Sequence, residues 1–159
     1  IRQDEVDRIK QRQIELNTQF EMICADSQYY DIKPDYFDFS YTCPPYYDLE
    51  VYSTIDGDMS NVSSYDEFLK MLKNSIATTY KGMKDNTLSV FVVGNFRDKD
   101  GNLRHFNGDV ARIGKEVGYK LHDELIFWGA SDCATQRSGQ FVANRRSVRV
   151  HEYIIIFKK

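Results

Sequence analysis

The chain has 159 residues, 42% apolar and 28% charged, with a net charge of −3. These totals describe one globular domain over residues 1–159 and exclude a uniformly basic protein, so any contact with nucleic acid needs a local patch. No apolar run reaches the roughly 20 residues of a membrane-spanning helix, and no secretory leader is recognisable, which sets the expectation of a cytoplasmic protein without membrane contact.

Asp4 to about Thr18 has the pattern of an amphipathic helix lying on a sheet. Val6, Ile9, Leu16 and Phe20 share one face, and Asp4, Glu5 and Asp7 occupy the first turn, where the helix dipole favours acids. Phe20 to Cys24 alternates like a strand and ends at Ala25-Asp26-Ser27. Asp and Ser there either cap a turn or accept hydrogen bonds from a ligand. A loop with Pro34 leads to Phe37–Thr42, a short run of strand type. The polar stretch Thr54 to Ser64 reads as a loop, either a lid or a solvated connection. Ser64 with Glu67 three residues on is a capping-box signature, and Tyr65, Phe68, Leu69, Leu72 and Ile76 form the apolar stripe of the helix it opens.

Leu88 to Val93 is a continuous apolar run, as in a strand buried on both faces. Gly94-Asn95 turns away from it, and Asp98 to Gly101 reads as a hairpin-like turn. Phe106 to Val117 predicts a helix stopped by Gly118. Lys120 to Trp128 and Val148 to Phe157 predict two closing strands. The long polar connection between them carries Arg137, Arg145 and Arg146; from Arg137 to Arg149 there are four arginines and no acid. That loop is either a phosphate-contacting patch or a solvated segment balanced by acids elsewhere. The alternation of helices and strands predicts an α/β fold with a mostly parallel sheet.

Chemistry concentrates where Phe37–Thr42 runs into Cys43-Pro44-Pro45-Tyr46. Two prolines cannot donate to a sheet ladder, so the strand stops and a stiff turn of carbonyls follows, with aromatic rings beside it. In open α/β sheets, ligands bind at such carboxyl ends of strands. Cys24, Cys43 and Cys133 lack paired spacing and read as reduced thiols, and His105, His122 and His151 have no metal-ligand spacing, so no metal is expected.

This stretch resembles the Pro-Pro-Tyr motif of the S-adenosyl-L-methionine (AdoMet)-dependent amino-methyltransferases, which methylate exocyclic amines of adenine or cytosine in nucleic acid. The family pattern is Asp, Asn or Ser, then Pro-Pro, then an aromatic residue. Pro44, Pro45 and Tyr46 match it, and Cys43 departs. The longer string CPPYYDLEVYS, with VVGNFRDKDG downstream, is similar to methylase modules of bacteriophages, some of them fused to ParB-like domains.

The resemblance implies a Rossmann-like methyltransferase fold with a terminal antiparallel hairpin, AdoMet as cofactor and DNA as partner. It implies that Asp26, Ser27 and Cys43 help to hold AdoMet. It also implies that Cys43 and the Pro44 carbonyl accept the hydrogens of a flipped-out amine while Tyr46, next to Pro45, stacks on the base. Arg137, Arg145, Arg146 and Arg149 are then the expected phosphate contacts. The family's glycine-rich AdoMet loop is not found between Ile1 and Lys159. The resemblance places it before Ile1, with an upstream segment or a partner chain completing the sheet. Because a thiol accepts hydrogen bonds weakly, the alternative expectation is an inactive, methyltransferase-like subunit that binds DNA or protein.

Overall fold

The computed structural model describes residues 3–129, 138–147 and 149–159. The elements run α1 (Gln3–Glu15), β1 (Phe37–Thr42), a 3-10 turn (Met59–Asn61), α2 (Tyr65–Gly82), β2 (Met83–Val93), β3 (Phe96–Arg97), β4 (Leu103–Arg104), α3 (Phe106–Val117), β5 (Lys120–Trp128), α4 (Ser138–Ala143) and β6 (His151–Lys158). A four-stranded sheet has the order β1-β2-β6-β5, and β3 and β4 pair separately. β1 runs parallel to β2, while β6 inserts antiparallel between β2 and β5. The terminal antiparallel hairpin is therefore present, with α4 inside its connection. Among the described residues no helix is long and apolar enough to cross a membrane.

Local sequence explains most boundaries. Ser64 accepts the Glu67 N–H at 3.2 Å, and Glu67 Oε2 accepts the Ser63 N–H at 3.3 Å, so the cap of α2 is reciprocal with a one-residue offset. α3 ends at Gly118, whose φ of 123° lies outside the range comfortable for a side chain. Its N–H is shared by the carbonyls of Gly114 and Lys115. Arg97 and Leu103 pair across the Asp98–Asn102 turn, where Asp98 accepts the Asn102 N–H at 2.8 Å.

The structure corrects three expectations. Phe20–Cys24 alternates but forms no strand; it has no regular secondary structure, and Phe20 and Ile23 are exposed. The parallel part of the sheet is consequently the single pair β1–β2. The first helix stops at Glu15, so Leu16 and Phe20 do not extend its apolar face. β2 instead begins five residues earlier than its apolar run, because Met83 pairs with Phe37 before an irregularity in the β1 ladder. Asn86, at φ 63°, sits in that stretch.

Helices α2 and α3 cover one face of the sheet. Phe68, Leu72 and Ile76 from α2 and Val110 and Ile113 from α3 meet Phe91, Val93, Ile155 and Phe157 from β2 and β6. Each such buried side chain contributes about 1.5–3 kcal/mol from removal of apolar surface from water. The ladder partners on the opposite face include Phe39, Tyr41, Leu125 and Phe127, all exposed. β1 forms one edge of the sheet, and its carboxyl end, where the Pro-Pro turn begins, is thus open to solvent.

Phe157 is fully buried, stacked on Tyr119 at 5.3 Å and edge-on to Phe91 at 5.6 Å. A methyl group at Gly114 would collide with that ring, which has no room to withdraw. Gly114→Ala should therefore lower unfolding free energy by about 1–2 kcal/mol, despite a helix-propensity gain of about 1 kcal/mol. Urea denaturation of the variant and the parent measures the difference.

Candidate active site

The two prolines end β1, and the chain then folds back on the core. Pro44 is buried, and the Leu49 N–H bonds to the Tyr46 carbonyl at 3.1 Å to close the turn. Tyr47 takes φ 52°, a region that non-glycine residues rarely occupy. Its ring packs against Tyr65 at 5.5 Å and Phe68 at 5.8 Å, which holds the turn in this conformation. Strain of this kind clusters at functional sites.

Tyr46 is fixed at both ends of its side chain. Its ring meets Phe96 and Phe106 edge-on, at 6.0 and 5.7 Å. Its hydroxyl accepts the Gly94 N–H at 2.9 Å and donates to Glu152 Oε1 at 3.2 Å. Gly94 follows β2 and Glu152 opens β6, so three strand ends meet at one oxygen. Burial, and then the charges of Cys43 and Glu152, push the Tyr46 hydroxyl far above its ordinary pKa. Cys43 remains exposed. Desolvation raises its pKa, the neighbouring Tyr46 hydroxyl opposes the rise, and the Glu152 charge adds to it. At neutral pH the group is a thiol.

Beside the turn lies an open cavity of about 460 Å³, a volume suited to a small ligand. Val6 and Ile9 of α1, Met22 to Ser27, Pro45, Tyr52, Ser53 and Gly57 to Met59 line it. The structure therefore brings Asp26, Ser27 and Pro45 to one cavity, although the Pro-Pro turn and the Asp-Ser pair are distant in the chain. Asp26 Oδ1 accepts the Gln28 N–H at 2.9 Å in a turn cap, while Oδ2 has only a 3.4 Å contact with Gln28 Nε2. Both sequence readings of Asp26 are compatible with that geometry. Ser27 exchanges a 3.0 Å hydrogen bond with Ser75. Asp58 is braced by Ser53 at 2.6 Å and Ser60 at 2.7 Å. Burial opposes the Asp58 charge, but those hydrogen bonds prevail and hold its carboxyl below the usual range.

The arginines divide. Arg137 lies outside the described residues, as does Cys133. Arg145 is exposed, with φ 51°. Arg146 lays its guanidinium over Gly101, whose carbonyl accepts from Arg97 at 2.9 Å. Arg149 is held below its ordinary pKa by burial and then by the Arg97 charge. Arg149 also lines a small cavity of about 210 Å³ with His151 and Glu152, so this basic group adjoins the Tyr46 site. Sequence reasoning missed Glu152, Arg97, Tyr52 and Asp58. Only the Gly94 turn gave a signal, because it follows a buried strand. Among the described residues, no cluster of His, Cys, Asp or Glu is arranged for a metal ion.

No protein-family model matches the chain, and no curated protein matches it. Solved structures do. A putative DNA modification methylase from Thermus thermophilus, complexed with S-adenosyl-L-methionine, aligns at TM-score 0.58 and 16% identity over 81% of this chain and 50% of that one. The PvuII DNA methyltransferase, cytosine-N4-specific, aligns at TM-score 0.60 and 17% identity over 80% and 44%. The 4+2 cyclase SpnF aligns at TM-score 0.52 and 12% identity over 96% and 61%. The chain spans about half the length of the two DNA methylases. The fold is the Rossmann-like fold of AdoMet-dependent methyltransferases, shared with these two DNA methylases. The cyclase shows that this fold alone does not specify the reaction.

Tyr46 makes alkaline stability a test of the site. A hydroxyl whose folded pKa exceeds the unfolded value near 10 stabilises fully below that pH and loses its contribution as pH rises above it. Tyr46→Phe should cost about 1–2 kcal/mol at pH 7, by stranding the Gly94 N–H and the Glu152 contact. The gap between variant and parent should narrow between about pH 10 and 11.5. Thermal unfolding across that range measures it.

Proposed function

We propose that the chain carries the catalytic turn of an AdoMet-dependent methyltransferase that acts on an exocyclic amine of adenine or cytosine in DNA. The observation that carries this reading is the Cys43-Pro44-Pro45-Tyr46 turn at the carboxyl end of β1, with Pro45 lining the same cavity as Asp26 and Ser27. The cavity suits AdoMet: Val6, Ile9 and Ile23 offer apolar walls for an adenine, and Glu5, Asp26 and Asp58 offer carboxylates for a ribose and a cationic donor. When bound, AdoMet supplies a methyl group on a sulfonium.

The chain's own residues act on the amine. An aromatic amine is a poor nucleophile because its lone pair is delocalised into the ring. Acceptors aimed at its hydrogens favour the pyramidal, attacking form, and fixing it near the methyl donor contributes much of the rate. The Pro44 carbonyl and Cys43 are the acceptors in this reading. Tyr46 fixes the turn and offers an aromatic surface to the flipped base. Arg145, Arg146 and Arg149, joined by Arg97, contact phosphates, and Arg137 belongs to the same segment. A second reading, a non-catalytic subunit that binds DNA or a partner protein, is favoured by one observation, the exposed neutral thiol at Cys43.

Nucleoside mass spectrometry on DNA from a methylation-deficient host expressing the complete reading frame tests the choice. Methylated adenine or cytosine, set against an empty vector, is expected; none, with soluble protein present, favours the binding subunit. Asp26→Asn, which keeps an acceptor for the Gln28 N–H, should weaken AdoMet binding about tenfold in calorimetry while leaving the melting temperature nearly unchanged. Arg146→Ala with Arg149→Ala should lower DNA affinity and reduce the slope of log affinity against log salt by about 2.

A further inference from the structure

Tyr52 lines the cavity beside the Pro-Pro turn together with Pro45, and it is pinned at both ends. Its N–H bonds to Ser60 Oγ at 2.9 Å, and its hydroxyl donates to Glu50 Oε2 at 2.9 Å. Ser60 is buried and donates in turn to Asp58 Oδ1 at 2.7 Å, while Ser53 donates to Asp58 Oδ2 at 2.6 Å. Gly57, at φ 87°, carries the far end of the loop to Asp26: a methyl group there would stand 3.5 Å from Asp26 Oδ2. The segment from Tyr52 to Ser60 is therefore a braced wall of the cavity rather than a solvated connection.

The charges along this cavity are of one sign. Among the described residues, none that lines it is Lys, Arg or His. Glu5 is paired with Arg8 at 2.6 Å, whereas Asp26 and Asp58 take hydrogen bonds from neutral donors, Gln28 for the first and Ser53 and Ser60 for the second. Their charges are left for a ligand. The Tyr52 hydroxyl gives its proton to a carboxylate, which enriches the negative face of the ring. An aromatic face and two unneutralised carboxylates attract a cation and gain little from a neutral group of the same shape.

Resting on the methyltransferase reading, we propose that Tyr52 is the residue by which this cavity distinguishes the cationic methyl donor from its neutral product. In methyl transfer the S–C bonding pair stays on sulfur, the amine nitrogen forms the new C–N bond, and the amine's proton goes to solvent. The positive charge is then gone from the thioether that remains in the cavity, and the ring loses its attraction for it. The adenosine portion is common to donor and product, so contacts with that portion cancel in the comparison and the ring's preference for charge does not. The wall holds the donor before transfer and lets the product go after it.

The test uses the complete chain. Calorimetry gives the dissociation constants of AdoMet and of its neutral demethylated form, S-adenosyl-L-homocysteine, for the parent, Tyr52→Phe and Tyr52→Leu. The parent should bind the donor about tenfold more tightly than the product. Tyr52→Phe keeps the ring and should stay within about twofold of the parent's ratio, whereas Tyr52→Leu should lower the ratio about fivefold, through the donor's constant. Both ligands bind the same folded fraction, so the ratio stays readable where Tyr52→Leu is less stable. A parent that binds the two ligands equally, or a Tyr52→Leu variant that loses both equally, overturns the proposal; the second result makes the ring a packing wall for the shared adenosine. A parent that transfers the methyl group without preferring the donor overturns the role of Tyr52 alone. A parent that prefers the donor through Tyr52 and transfers no methyl group supports the cation-selective wall and retires the methyltransferase reading alone.

Discussion

One hydroxyl ties together three strand ends. Tyr46 takes the Gly94 N–H beyond β2 and gives its own proton to Glu152 at the start of β6, while Tyr46 itself stands just beyond β1. Because β6 is antiparallel, its first residues lie at the carboxyl end of the parallel pair, where the Pro-Pro turn begins. The topology therefore delivers a carboxylate to the turn from a residue 106 positions away. A wholly parallel sheet would place the start of its last strand at the other end. The edge-on contacts with Phe96 and Phe106 orient the ring, and the hydroxyl bonds tie its far end to the chain beyond β2 and to β6.

Local devices were legible because they depend on neighbours in the chain. The strand before the prolines and the helix Phe106–Val117 with its Gly118 stop lie where the sequence puts them. So does the Ser64 cap. Phe20–Cys24 failed because alternation shows only that a segment could lie in a sheet; a strand also needs a partner, which periodicity does not report. β2 exceeded its apolar run for the converse reason. Lys84 to Thr87 look like turn residues, yet pairing with Phe37 carries the strand back to Met83. At the site, the Pro-Pro turn was legible as chemistry, whereas Glu152 was not, since an acid in a closing strand has no local mark. Arg97 was hidden likewise: alone it is one charge after a turn, and the fold sets it beside Arg149.

The fold and the site differ in how narrowly they restrict chemistry. A cyclase and DNA methylases share this architecture with the chain at similarly low identity, so the sheet and helices do not choose a reaction. The distinguishing features are smaller. They are two prolines that end an edge strand, a tyrosine in left-handed conformation just after them, and a cavity that gathers Asp26 and Pro45. Each restricts what the turn can bind, and together they define a rigid polar rim next to a mixed apolar and acidic hollow.

Cys43 is the residue at which the turn departs from the motif. A thiol in a motif that otherwise uses Asp, Asn or Ser looks like a loss, because sulfur is a weak acceptor. In isolation, its raised pKa deepens that weakness by keeping it protonated. Its two named neighbours pull in opposite directions: Tyr46 lowers the thiol's pKa, and the Glu152 charge raises it. The Tyr46 hydroxyl holds Glu152 at 3.2 Å, so the ring that closes the turn also fixes the carboxylate that disfavours a charge at position 43. An Asp at that position would meet a like charge there, whereas a thiol stays neutral beside it.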